Sequence, residues 1–223
     1  METNYLTVIV PALNESATIK EVVMSIKALS IKPKVLVVDN SSWDDTAELA
    51  KEAGAEVINV VMRGKGVAVQ EALKHIDTPY IGMIDADGTY PVETFLVLME
   101  AMSGCDVAKE HRKWCDNGSM SKTHKVGNYL LSAFASMLYG KRVHDVCSGQ
   151  WVFKRECLDK FKITSRGFTL EADLFTNTVL NGYRLGEYPT TYQARLDGSK
   201  AKLKMLDGVK IALFLITRRL KGV

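Results

Sequence analysis

Four short strand-like runs, Leu6–Val10, Val35–Val38, Glu56–Val60 and Tyr80–Ile84, punctuate the first third of the chain. Stretches with helical spacing lie between them at Ala17–Leu29, Thr46–Ala53 and Gly66–His75, and another follows at Val92–Met102. Strands of this length alternating with helices predict a mostly parallel, Rossmann-like α/β sheet flanked by helices in a single domain, because each crossover must return over the sheet before the next strand begins. Ligands of such sheets sit at the carboxyl ends of the strands. Here those ends are polar: Pro11-Ala12-Leu13-Asn14-Glu15, Asp39-Asn40-Ser41-Ser42 and Asp85-Ala86-Asp87. The three loops should therefore gather on one rim.

The third loop carries the most chemistry. Asp85 and Asp87 stand one residue apart where the apolar run Tyr80–Ile84 gives way to Gly88-Thr89-Tyr90-Pro91. Two like charges that close repel unless a cation or water separates them. Oxygen ligands of this kind suit Mg2+ or Mn2+ held against a diphosphate. An Asx turn after an edge strand is the alternative that the bare pattern allows. Arg63-Gly64-Lys65-Gly66 opens the third helix, where glycines let backbone N–H groups approach an anion and Lys65 adds a charge; a plain turn has the same signature.

At 223 residues, 47% hydrophobic and 25% charged, the chain can bury one sizeable core. Cys105, Cys115, Cys147 and Cys157 form no C-x-x-C pair and read as reduced packing residues of a cytosolic protein. His75, His111, His124 and His144 show no zinc-ligand spacing, and no N-terminal signal segment is visible. No nucleic-acid partner is expected.

Charge is uneven. Residues 200–223 hold seven basic side chains against Asp207 alone, a balance of +6 within a total of +3, so residues 1–199 carry −3. In that tail Met205, Leu206, Val209, Ala212, Leu213, Ile216 and Leu220 fall on one helical stripe. The uncharged run Ile211–Thr217 is far below the roughly 20 residues needed to span a bilayer. Two arrangements fit: a basic amphipathic helix on an anionic membrane surface, or a helix packed on the domain with its lysines in water. The chain is accordingly divided into a domain at 1–204 and a C-terminal helix at 205–223.

Six motifs in order, Pro11-Ala12-Leu13-Asn14-Glu15, Val37-Val38-Asp39-Asn40-Ser41-Ser42-Trp43-Asp44-Asp45-Thr46, Gly64-Lys65-Gly66, Asp85-Ala86-Asp87, Ser148-Gly149 and Arg195-Leu196-Asp197-Gly198-Ser199-Lys200, span nearly the whole chain. Together they resemble the family 2 glycosyltransferases of GT-A fold, and among them the dolichyl-phosphate (polyprenyl-phosphate) sugar synthases.

That resemblance implies transfer of a sugar from a nucleotide-sugar donor to dolichyl or polyprenyl phosphate, with inversion and a divalent metal, by a protein peripheral to the cytoplasmic face of a membrane. It assigns donor contacts to Pro11, Leu13, Asn14, Glu15, Val38, Asn40, Lys65, Asp85, Ala86, Asp87 and Arg112. Metal binding falls to Asp87 and Asp85, with Thr89 joining through its hydroxyl or a water. Arg195 and Lys200 would take the lipid phosphate. Glu171 matches an acidic position discussed as a base, so Asp87, Arg195 and Glu171 are the catalytic candidates. An acceptor phosphate, with its second pKa near ~6, already presents a nucleophilic oxygen at neutral pH, so a base is dispensable. Two departures bear on the donor. Asn40 replaces the common Asp, and an amide that both donates and accepts suits uracil. Gly88-Thr89 replaces the Leu-Gln usual in mannose synthases. UDP-glucose or UDP-N-acetylglucosamine is therefore expected ahead of GDP-mannose, and a soluble enzyme with a non-lipid acceptor is the further alternative.

Overall fold

The computed structural model describes residues 5–116, 118–195 and 205–222. Seven strands form one sheet in the order β3-β2-β1-β4-β6-β5-β7. The four expected strands are β1 (Leu6–Ala12), β2 (Lys34–Asp39), β3 (Glu56–Asn59) and β4 (Tyr80–Met83), and all run parallel. Helices α1 (Ile19–Ala28), α2 (Thr46–Glu52) and α3 (Lys65–Ala72) connect them, and α4 (Thr94–Ala101) follows β4. Within β1, Leu6, Val8 and Val10 enter one apolar cluster and Ile9 the other. Burial on both faces is why these strands read as continuous apolar runs.

The sheet continues through β5 (Val107–Cys115), β6 (Trp151–Lys154) and β7 (Leu185–Tyr192), accompanied by α5 (Lys122–Tyr139), α6 (Arg155–Leu158) and α7 (Leu170–Leu180). Strands β5 and β6 fall where the sequence shows no strand pattern. β5 carries Lys109, Glu110, His111, Arg112 and Lys113 in succession, a composition that only tertiary partners can make tolerable inside a sheet. β6 runs antiparallel to both β4 and β5, while β7 pairs with β5 in parallel. This reversal brings the C-terminal ends of β4, β5 and β7 and the N-terminal end of β6 to a single rim.

Helices α1, α2 and α4 cover one face through residues such as Ile26, Ala50 and Phe95, and α3, α5 and α7 cover the other through Ala72, Ala135 and Phe175. The last helix, α8 (Met205–Lys221), packs beside α5 and α7. Its Ile211 and Leu215 enter the core, and Tyr139 Oη donates to Leu215 O at 2.8 Å. Arg218 belongs to this inner face: it is buried, lies 3.3 Å from Asp173 and donates to Lys162 O. It is therefore withdrawn from any basic outer surface. The stripe Leu206, Val209, Leu213, Ile216 and Leu220 stays exposed on the opposite side, so the helix is packed by one face and apolar on the other. Among the described residues no helix is long and apolar enough to cross a membrane.

Candidate active site

A cavity of about 700 Å3 opens on the rim where the strand ends meet. Of the residues singled out in the sequence, Pro11, Leu13, Glu15, Asn40, Lys65, Asp85, Ala86, Asp87, Arg112, Glu171 and Arg195 line it. Lys200 lies outside the described residues.

The β4 loop is held from three sides. Thr18 Oγ1 donates to Ala86 O at 2.7 Å, which ties the loop to the start of α1. Asp87 Oδ1 accepts both the N–H and the hydroxyl of Thr89, the latter at 2.6 Å. Thr89 is fully buried and its hydroxyl is committed to that bond, so it orients Asp87 rather than lining the cavity as a ligand. Behind Asp85 stands Gly149, two residues before β6. A Cβ there would lie 2.8 Å from Asp85 Cγ, so only glycine admits the carboxylate in its observed place. The Gly149 N–H donates to Tyr90 Oη at 2.9 Å, which fixes the approach.

Cations meet these acids. Lys65 Nζ bonds both Asp85 and Glu171, and Arg195 Nε donates to Asp87 Oδ2 at 2.9 Å. Burial alone would lower the Lys65 pKa, but the charges of Asp85 and Glu171 prevail and hold the ammonium above its ordinary value. Lys65 owes its position to Gly64, whose φ of +136° excludes most L side chains and whose missing Cβ lets the Arg166 carbonyl pack against it.

Three expectations are revised by the local geometry. Asn40 does line the cavity, yet its Oδ1 accepts from Gly64 N–H at 2.5 Å and its Nδ2 donates to Val60 O and Met62 O. The amide is thus spent on tying β2 to the β3–α3 loop, and the uracil-reading argument built on it falls away. Asn14 sits at φ +53°, donating its N–H to Ser42 Oγ and accepting from Trp43 N–H, and lies outside the cavity lining. Val38 is wholly inside the core, because its side chain points down from the sheet instead of up the rim.

Arg112 reaches the cavity from β5, and one edge of its guanidinium is taken: Nε and Nη2 donate to Asp145 at 2.6 and 2.8 Å. Asp145 also accepts from Asn128 and from Cys147 N–H. Burial would raise its carboxyl pKa, but Arg112 holds it well below the usual range. Tyr90, Asp145 and Tyr192 escaped the sequence reading. Tyr90 comes with the β4 loop, while Asp145 and Tyr192 become site residues only through β5, β6 and β7, whose register no local pattern announces.

Among the described residues no cluster of three or more His, Cys, Asp or Glu side chains could hold a metal ion by itself. The donor set does fit a divalent cation that arrives with a diphosphate. Asp85 and Asp87 supply two carboxylates, and Mg2+ commonly takes one or two of these with phosphate and water oxygens completing its shell. Lys65 and Arg195 add fixed positive charge beside the same space.

Comparison with known proteins agrees with this geometry. Residues 7–161 match the description Glycosyl transferase family 2. The chain is similar to Glycosyltransferase AglJ of Haloferax volcanii, 33% identical over 217 residues covering 96% of this chain and 71% of that protein. It is also similar to a dolichyl-phosphate hexose transferase of the same organism, 32% identical over 197 residues, covering 87% and 86%. Among solved structures, glucosyl-3-phosphoglycerate synthase from Mycobacterium tuberculosis in complex with Mn2+, uridine diphosphate and phosphoglyceric acid superposes with a TM-score of 0.73 at 25% identity, covering 97% of this chain and 77% of that one. A family match over most of the chain, carried on a sheet whose rim gathers Asp85, Asp87, Lys65 and Arg195, places the protein in glycosyl transferase family 2, as a glycosyltransferase enzyme.

Proposed function

We propose that the chain transfers a single sugar from a UDP-sugar, glucose or N-acetylglucosamine first, to dolichyl or polyprenyl phosphate at the cytoplasmic side of a membrane, with inversion. The observation that carries this reading is the alternation of acids and cations around one cavity, Lys65 between Asp85 and Glu171 and Arg195 on Asp87. Such a site recognises two phosphate groups at once, one on the donor and one on the acceptor. The lipid acceptor is favoured by the similarity to the dolichyl-phosphate hexose transferase, and the uridine donor by the solved relative that holds UDP and Mn2+.

Asp87 and Asp85 would hold the divalent cation, which supplies charge stabilisation to the departing diphosphate. The chain's own residues do the positioning. Thr89 and Gly149 set the two carboxylates, Glu171 holds Lys65 toward the donor, and Arg195, with Lys200, grips the acceptor phosphate. A phosphate oxygen then bonds the anomeric carbon from the face opposite the leaving group while the bond to the nucleoside diphosphate breaks. The acceptor oxygen is already deprotonated near neutral pH, so orientation supplies most of the rate.

A second reading, a water-soluble phosphate-bearing acceptor, is favoured by the phosphoglyceric acid held in the solved relative. Nucleotide release measured with UDP-glucose, UDP-N-acetylglucosamine and GDP-mannose, each with dolichyl phosphate or phosphoglycerate and Mg2+ or Mn2+, separates the readings. Release that requires UDP-sugar and dolichyl phosphate together is expected. Turnover with GDP-mannose alone among the donors, or with phosphoglycerate alone among the acceptors, would overturn the proposal.

A further inference from the structure

We infer that α5 and α8 together form a platform that rests on an anionic lipid surface and presents the mouth of the cavity to it. The inference draws on the lipid-phosphate reading only for the need of such a surface; the surface itself is read from the side chains.

The two helices lie side by side and run in the same direction. Leu131 approaches the position of Gly208, and about two turns further on Tyr139 Oη bonds Leu215 O. Their inner residues Ala135, Tyr139, Ile211 and Leu215 enter the same core cluster, so their outer faces look the same way. Those outer faces are apolar. Val126, Leu130 and Met137 of α5 recur at i, i+4 and i+11 and are exposed, Met137 by 76%. Leu206, Leu213 and Leu220 of α8 recur at i, i+7 and i+14 and are exposed too, Leu220 by 81%. The water-facing side of a packed helix is ordinarily polar. An apolar patch this continuous, with Tyr129 standing 70% exposed beside it, marks an interaction surface.

Charge decides the occupant. Helix α5 contains no acidic residue, and α8 contains only Asp207, which is buried and accepts from Lys210. Exposed Lys122, Lys125, Lys141, Arg142, Arg219 and Lys221 lie on these helices or directly after α5. A second copy docking here would set this positive charge against itself, whereas anionic headgroups meet it with the opposite sign. Tyrosine between apolar and basic residues suits a headgroup boundary.

The same helices wall the cavity, α5 through Gly127, Asn128 and Leu131 and α8 through Gly208 and Ile211. A Cβ on Gly127 would meet nothing within 4 Å, and one on Gly208 only Leu131 Cδ1 at 3.7 Å. At these two positions the wall is formed by backbone without a side chain.

Flotation of the full chain with vesicles of phosphatidylcholine alone, or with phosphatidylserine added, tests the platform at low and high salt. The parent should float with the anionic vesicles and not with the neutral ones, and release as salt rises. Leu130→Asp with Met137→Asp on α5, and separately Leu213→Asp with Leu220→Asp on α8, should each weaken vesicle binding at least tenfold. Lys122→Glu with Lys125→Glu should weaken it about fivefold per cation lost, and Lys51→Glu on the far face of the sheet should change nothing. Circular dichroism checks folding, with serine in place of aspartate as the milder pair. A parent that stays at the bottom of the gradient, an α5 pair that floats like the parent, or an α5 pair that turns a parent dimer into a monomer would each overturn the inference. Transfer to a short, water-soluble polyprenyl phosphate should survive in the α5 pair. A parent that floats but transfers to no lipid phosphate would refute the acceptor assignment and leave the platform standing.

Discussion

The two halves of the sheet handle charge in opposite ways. In β1, β2 and β4 the buried stretches are apolar, and acids follow where β2 and β4 end, at Asp39, Asp85 and Asp87; the acid of β3, Glu56, is exposed at its start. From β5 to β7 charge goes inside. Lys109 and Glu110 are wholly buried, Asp145 locks Arg112, Asp106 binds Lys154 and Arg184, and Glu187 binds His144. In the first half, then, Asp85 and Asp87 face the cavity and the core holds without them. In the second half, charged residues are part of what holds strands and helices together. A buried pair resists the loss of one partner strongly even where its net worth is small, so substitutions in the two halves should fail in different ways.

The largest effect is expected from Asp145→Asn, which leaves the Arg112 guanidinium buried without its counter-charge and also loosens the bonds to Asn128 and Cys147 N–H. Stability should drop by about 3–5 kcal/mol in urea unfolding. A drop below about 1 kcal/mol would erase the contrast between the halves.

Next comes Asp87→Asn, whose carboxylate touches Arg195 and Thr89 at the cavity edge. Transfer should slow roughly a hundred- to a thousandfold while the unfolding midpoint hardly moves, and chelation of divalent ions should mimic it in the parent. Equal losses of stability and rate would show that the first half is built like the second.

Gly149→Ala tests where the halves touch. The added methyl must push Asp85 aside, so transfer should fall roughly tenfold to a hundredfold with intact secondary structure by circular dichroism. An unchanged rate would mean that Asp85 does not need its observed position.

The effect smallest at any single pH step is a pH slope. Burial, helped by the charge of Asp145, pushes the Glu110 carboxyl from its ordinary value up to about 8. Between the two values the folded state keeps a proton that the unfolded state has released, so stability should fall as pH rises from about 5 to 8 and level off above, by at most about 1.4 kcal/mol per unit. Glu110→Gln should flatten that slope in urea titrations at pH 5.5 and 8; a slope unchanged by the substitution would assign it to another group.

The same contrast explains which parts of the molecule were legible in the sequence. Asp85 and Asp87 could be read because an apolar strand frames them and the chain's period announces the turn. Lys65 and Arg195 were legible through their motifs, and the structure brings both onto those carboxylates. Asn40 and Thr89 show what the sequence leaves out: in the structure the Asn40 amide bonds the β3–α3 loop and the Thr89 hydroxyl bonds Asp87. Asp145 and Tyr192 had no local signal, since they reach the site through pairings far apart in the chain, whereas Tyr90 stood in the quoted β4 loop without a chemical reason to single it out.

Periodicity and strand-end chemistry by themselves determined the parallel half, the rim where the strand ends meet, the acid pair and the amphipathic last helix. These depend on interactions within a few residues, which is what a one-dimensional pattern records. Only the tertiary structure decided that β6 runs backwards, that a strand as charged as β5 lies inside the sheet, and that Arg218 turns inward while Leu206, Leu213 and Leu220 turn outward. Each of those outcomes rests on long-range partners that satisfy buried charge or leave an apolar face uncovered, and the free energy of burial is settled by the whole packed neighbourhood rather than by the segment that carries the residue.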